Sequence, residues 1–247
     1  NATQLRNMLP EKVDIPVEIM SGFKFKLSGF TDVVRISGQD LIESISQCYG
    51  RDGIEETIVL CRSNKRAIVY NNGIRNTILD REDELNRGEH LMIVKNNYYW
   101  TEHLAQEDRD SYLEYPSFIA NGDVAVVQRI RRSREMYGFR YVDVVLTFPD
   151  YDDIEMDVTL LLDTLHSESP SLTQQENERL FGNVMEDYIH IRSKKERMKQ
   201  LRENQYYNAI QVKYAYAITC HKAQGGQWKN VFIDQGYVPE GGRDADY

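Results

Sequence analysis

The sequence predicts an α/β fold in which a parallel-sheet domain is interrupted by a small antiparallel β-barrel and a helical segment, then resumed. Three observations carry this expectation. A buried strand runs into an amphipathic helix over residues 57–78, the pattern changes from about Gly88 to short alternating strands with turn signals, and strand-rich sequence returns at residues 209–219 and 230–234. A β-rich block lodged between two such stretches is most simply an insertion.

After an irregular start around Pro10 and Pro16, Leu41, Ile42, Ile45, Cys48 and Tyr49 recur at helical spacing, with Ser37 suited to cap the start and Gly50 the end. Residues 57–61, Thr-Ile-Val-Leu-Cys, form the continuous apolar run of a parallel strand buried on both faces. Asn64 follows as a helix cap, and Ala67, Ile68, Asn71, Ile74, Arg75 and Ile78 fall along one face. Residues 90–95, 123–130, 140–148 and 155–162 read as strands. Within them Val124, Val126, Val142, Val144 and Val158 alternate, and Asn121-Gly122 and Pro149-Asp150 supply turns. Residues 101–116 read as a long acidic loop. A helix begins near Ser171 or Thr173 and continues toward Tyr207, with Leu180, Val184, Tyr188 and Ile191 on its stripe and a break near Gly182. The chain divides into residues 1–88, 89–207 and 208–247.

Composition narrows the function classes. Hydrophobic residues make up 41% and charged residues 28%, enough apolar material to bury a core, and no run approaches the uncharged length of a membrane span. With no signal-peptide pattern, a cytoplasmic protein with no membrane partner is expected. Cys48, Cys61 and Cys220 lie too far apart in sequence to suggest a disulfide framework or a zinc site. None of the five histidines pairs in pattern with a nucleophile, so no catalytic residue is assigned. A net charge of −9 argues against nucleic-acid binding by the whole surface and leaves room for a local basic groove. Opening on Asn1-Ala-Thr and stopping at Tyr247 after a turn-rich stretch, the chain reads as an excised piece.

The densest chemistry lies at residues 214–234, where an apolar strand enters a polar turn and then a second, buried strand. Thr219, His221, Lys222 and Gln224 crowd in before Gly225-Gly226, so donors suited to phosphate oxygens sit where backbone N–H groups also approach closely. Spacing alone fits equally well a strand, turn and strand whose polar residues face water. The string T-C-H-K-A-Q-G-G-Q-W-K-N-V at residues 219–231 resembles the T-x-H-K-x-Q-G-x-[EQ]-[FW]-x-x-V motif of RecD-like superfamily 1 DNA helicases, the exonuclease V alpha subunit type. Residues 60–65, 70–75, 91–99 and 118–124 are similar to that family as well, so the resemblance spans most of residues 57–235. It implies that residues 1–88 and 208–247 form a second RecA-like motor domain and that 89–207 are an inserted barrel domain with a helix. It also implies an ATP-dependent, 5′-to-3′ parent helicase whose partners are single-stranded DNA and a missing first motor domain, with ATP and Mg2+ as the parent's cofactors. The alternative is a non-catalytic nucleic-acid- or protein-binding module derived from a helicase. No G-x-x-x-x-G-K-[ST] loop occurs, so this chain by itself is expected neither to hydrolyse ATP nor to hold it strongly.

Residue roles follow from the resemblance together with the chemistry. Thr219, His221 and Lys222 match positions near the DNA track, and a hydroxyl, an imidazole and an ammonium all bond phosphate. Arg62, Asn64 and Lys65 follow the first strand at the carboxyl edge, where open α/β sheets place ligands; helix capping and a solvated loop are the structural alternatives. Gly225 and Gln227 match the nucleotide-facing part, although Gln227 brings no charge where many relatives have Glu. Arg75 is either a further nucleotide contact or a structural ion-pair partner. Tyr98 and Tyr99 are candidate DNA contacts in residues 95–100, a lysine with three aromatics, which otherwise build barrel core and rim. Trp228 is expected to anchor the core, the acids at 150–157 to be a solvated turn with no metal, and the basic run 192–202 to be a solvated helix face.

Overall fold

The structure, a computed structural model, describes residues 29–107 and 115–234. The irregular start around Pro10 and Pro16 and the turn-rich end after residue 234 lie outside the described residues. The fold is mixed α/β, a three-stranded parallel sheet beside a closed five-stranded barrel.

Helix α1 (Leu41–Asp52) buries Ile45 and ends at Gly53, whose φ of 98° makes it the terminator in place of Gly50. At its start, Ser37 Oγ accepts the Asp40 N–H, so Ser37 braces the capping residue without itself being the cap. Strand β1 (Thr57–Cys61) is buried along nearly its whole length and is the centre of the parallel sheet. Helix α2 (Asn64–Thr77) then lays Ala67, Asn71, Ile74 and Arg75 inward. Its cap is Ser63, whose side chain accepts the Arg66 N–H at 3.3 Å. The sequence expectation placed the cap one residue late, which leaves the Asn64 side chain available for other contacts.

The barrel is β2 (His90–Ile93), β3 (Val124–Met136), β4 (Phe139–Phe148), β5 (Ile154–Leu161) and β6 (Ile210–Tyr214). Four of its pairings are antiparallel, and the β5–β6 pairing that completes the ring is parallel. Two corrections concern helices. Residues 101–107, expected in a loop, belong to α3 (Tyr99–Glu107), where Trp100 and Leu104 supply a buried i, i+4 pair and Glu102 and Gln106 are exposed. The single helix expected toward Tyr207 is two, α4 (Gln174–Glu186) and α5 (Lys194–Arg202). The break falls after Asp187 and not at Gly182, because Ser193 starts a fresh helix by accepting the Glu196 N–H. A Thr173–Glu176 capping box opens α4.

The apolar run 209–219 also divides. Residues 210–214 close the barrel as β6, and after two residues β7 (Ala217–Thr219) joins the parallel sheet. Strand β8 (Asn230–Ile233) lies on the other side of β1, giving the order β7-β1-β8. Expected to be buried, β8 alternates instead, with Val231 and Ile233 exposed.

Candidate nucleic-acid interface

Parallel pairing sets the site. Cys61 stands opposite Thr219 in register, and the Cys220 N–H donates to the Cys61 carbonyl at 3.0 Å. Strands β1 and β7 therefore end side by side, and the two segments singled out from sequence, 62–65 and 219–222, leave the sheet together at its carboxyl edge. Beyond β7 the chain makes a helical turn in which the Lys222 and Ala223 N–H groups donate to the Thr219 carbonyl at 2.9 and 3.2 Å. Gly225 sits at φ 89°, and a Cβ on Gly226 would fall 2.2 Å from the Trp228 ring, so the glycine pair lets the indole fold back. Trp228 packs against the cluster of Ile58, Met92, Val94 and Ile218, which is the anchoring role expected of it.

A crevice opens here between α2, the barrel and the segment after β5. Asn64, Thr219, Lys222 and Lys213 bring polar groups to it, with Leu165 and Pro170 on its far wall. Arg62, Lys65 and His221 stand exposed beside these residues in sequence and do not line it. The Asn64 amide donates to the Glu168 carbonyl at 3.0 Å. Half-buried Lys222 donates to Asn121 Oδ1 in the barrel's Asn-Gly turn, and burial pushes its pKa down.

Lys213 is the residue that sequence reasoning missed. In Ile-Gln-Val-Lys-Tyr the alternation marks Gln211 and Lys213 as solvent-facing, yet both are buried. The segment after β5 covers them: Gln211 Oε1 accepts the Leu172 N–H at 2.9 Å, and the Lys213 ammonium donates to the Thr164 and Ser167 carbonyls at 3.1 and 2.5 Å. Burial pushes the Lys213 pKa from 10.5 down to about 8. With the folded value below the unfolded one, the unfolded chain binds more protons between them, so stability rises with pH from about 8 to 10.5. Urea melts should show the native chain gaining on Lys213→Met across that window, by about 1–3 kcal/mol; a pH-independent difference contradicts this.

The remaining residues lie elsewhere. Arg75, a candidate nucleotide contact, is buried, and its guanidinium bonds Glu89 at 3.0 and 3.1 Å and stacks over Tyr214. This placement matches the ion-pair alternative, and a buried, doubly bonded guanidinium does not fit a ligand contact. Gly225 and Gln227 are exposed and outside the crevice lining. They offer one left-handed backbone position and one neutral amide, which do not amount to a cradle for a triphosphate. On the barrel, Tyr98 is 53% exposed and stacks on Phe118, whereas the Tyr99 hydroxyl donates to the Glu203 carbonyl and Trp100 is buried. At the acidic hairpin, Asp152 and Asp153 are exposed in left-handed turn positions, and Asp157 pairs with Arg131.

The arrangement is that of an α/β sheet presenting hydroxyl, amide and ammonium groups at its carboxyl edge, all of them able to hydrogen-bond an anionic oxygen. Residues 214–247 match the family model of the UvrD-like helicase C-terminal domain. No curated protein matches the chain. The family match takes in the end of β6, β7, the polar turn and β8, and it supports a superfamily 1 helicase C-terminal region in a helicase-derived chain. Among the described residues no helix is long and apolar enough to cross a membrane.

Proposed function

We propose that this chain is the second, RecA-like motor domain of a RecD-like DNA helicase with its inserted barrel, and that it grips single-stranded DNA at the carboxyl edge of β1 and β7. The convergence of Asn64 with Thr219 and Lys222 around one crevice is the observation that supports this most strongly. Thr219 and Lys222 bond backbone phosphates, Asn64 stands across from them, and Arg62, Lys65 and His221 extend the contact over the exposed rim. Lys222 has an exchangeable partner, because a phosphate oxygen is a stronger acceptor for an ammonium than the Asn121 amide oxygen.

In the parent motor, ATP and Mg2+ bind between this domain and a first motor domain that supplies the phosphate-binding loop. Gly225 and Gln227 would form one rim of that cleft and leave the triphosphate to the first domain, while Arg75, bonded to Glu89, takes no part in it. ATP-driven closing and opening of the two domains then turns alternating grip into movement along the strand. This chain alone is accordingly expected to show no DNA-stimulated ATPase, and the parent with its first motor domain to show it. A parent lacking that activity would leave the binding module as the reading.

Binding itself is tested by fluorescence anisotropy with labelled oligothymidylate. Lys222→Ala should weaken binding about tenfold, the scale of one charge-assisted hydrogen bond, and flatten the log–log salt slope by about 0.7. An unchanged slope removes Lys222 from the DNA track.

A further inference from the structure

We propose that the exposed face of α5, with the Tyr98–Phe118 pair beside it, is a second binding surface for single-stranded nucleic acid. It shares a ligand class with the strand-edge site but rests on different residues.

Helix α5 is fixed from one side. Leu201 is buried and Met198 packs beside it in the core that Phe139, Tyr141 and Tyr206 build against α4. The other side is basic: residues 192–203 hold six basic and two acidic side chains in a chain of net charge −9, and Arg192, Lys194, Lys195, Lys199 and Arg202 are exposed. Spacing puts Lys195, Lys199 and Arg202 on one face. Among the described residues, the ion pair made by these groups is Lys199–Glu203 at 3.9 Å, solvent-exposed and of little worth. Helix stability accounts for part of the pattern only, at Lys199 and Arg202 in the last turn. Cations suit the last turn of a helix, whereas Lys194 and Lys195 occupy the first, where the dipole opposes them.

What lies next to the helix indicates the ligand. The Tyr99 hydroxyl donates to the Glu203 carbonyl at 3.2 Å. Asn208, whose amide donates to the Arg202 carbonyl at 2.8 Å, receives Asn97 Nδ2 and Trp100 Nε1 on its own carbonyl at 2.7 and 3.1 Å. The end of α5 is thus locked to the start of α3, where Tyr98 stacks on Phe118 with ring centroids 5.0 Å apart and remains open to solvent. Phosphate-neutralising side chains beside an open aromatic face are what a single strand with unstacked bases requires. An acidic peptide would use the charges and leave the aromatic face idle.

The two surfaces also connect. The Asn121 N–H donates to Asn96 Oδ1 at 2.8 Å, and Asn121 Oδ1 receives the Lys222 ammonium. Hydrogen bonds thus tie the motif turn through Asn121 to Asn96, two residues ahead of Tyr98, and Tyr99 ties the same segment to α5.

The experiment uses the whole 247-residue chain and labelled oligothymidylates, short and long. A Lys195→Gln, Lys199→Gln, Arg202→Gln triple variant, checked for folding by circular dichroism, should lose affinity for the long oligomer at least tenfold and flatten the salt slope by about 2. Tyr98→Ala should lose about tenfold with the slope unchanged, because stacking carries no counterions. A triple variant with native affinity and slope overturns the inference. So does a surface that binds polyglutamate as well as it binds DNA and is indifferent to Tyr98→Ala, since that is a peptide site. Lys222→Ala measured alongside separates the sites: its failure bears on the strand-edge reading alone.

Discussion

Glu89→Ala is expected to cost about 3–5 kcal/mol of folding free energy, the largest effect of any single change considered. Glu89 is fully buried just ahead of β2, and its carboxylate accepts from Arg75 at 3.0 and 3.1 Å, Arg81 at 3.1 Å and the Tyr216 hydroxyl at 2.8 Å. Arg75 comes from α2, Arg81 from the connection into the barrel, and Tyr216 from the two residues between β6 and β7, so one carboxylate ties the parallel-sheet unit to the barrel. Removing it leaves two guanidinium groups in a low-dielectric pocket with no counter-charge, and that desolvation sets the magnitude. Urea denaturation monitored by tryptophan fluorescence measures the loss. A cost below about 1 kcal/mol would mean that water reaches the cluster and that the joint is soft.

Asn71→Leu should cost about 2–4 kcal/mol, although leucine matches asparagine in size. The Asn71 amide uses its whole bonding capacity on the chain where it leaves the barrel for the parallel sheet. Oδ1 accepts from the Tyr216 and Ala217 N–H groups at 3.0 and 2.8 Å, and Nδ2 donates to the Tyr214 and Ala217 carbonyls at 3.2 and 2.9 Å. Here β6 has ended and β7 is only starting, so neither ladder fully serves these groups, and a leucine strands them in a buried place. The same variant should weaken DNA binding beyond its stability cost, because Thr219 is positioned by β7. A leucine variant as stable as the native chain would show that water replaces the amide.

These two residues also show where sequence stops being a sufficient guide. Strand β1 was legible because a strand covered on both faces writes its burial as an unbroken apolar run, and the helix that follows announced its inward face at Ala67, Asn71 and Ile74. The division of residues 209–219 between two sheets was not legible, since the apolar pattern continues across it and the side chain that satisfies the break comes from Asn71, more than 140 positions earlier. Lys213 was hidden by a covering segment that local alternation cannot reveal. Helix α3 was obscured because Glu102, Gln106 and Glu107 gave its sequence the look of an acidic loop while Trp100, Thr101 and Leu104 faced in. The motif residues themselves were legible, and the sheet's register explains why two distant segments meet: Cys61 opposite Thr219 brings the ends of β1 and β7 together.

The most direct measurement is a crosslinking map of the whole chain with photoreactive single-stranded DNA, read by peptide mass spectrometry. The account predicts adducts at residues 219–222 and 62–65, lost when unlabelled oligothymidylate or high salt competes. Adducts that avoid both segments while DNA still binds would contradict it.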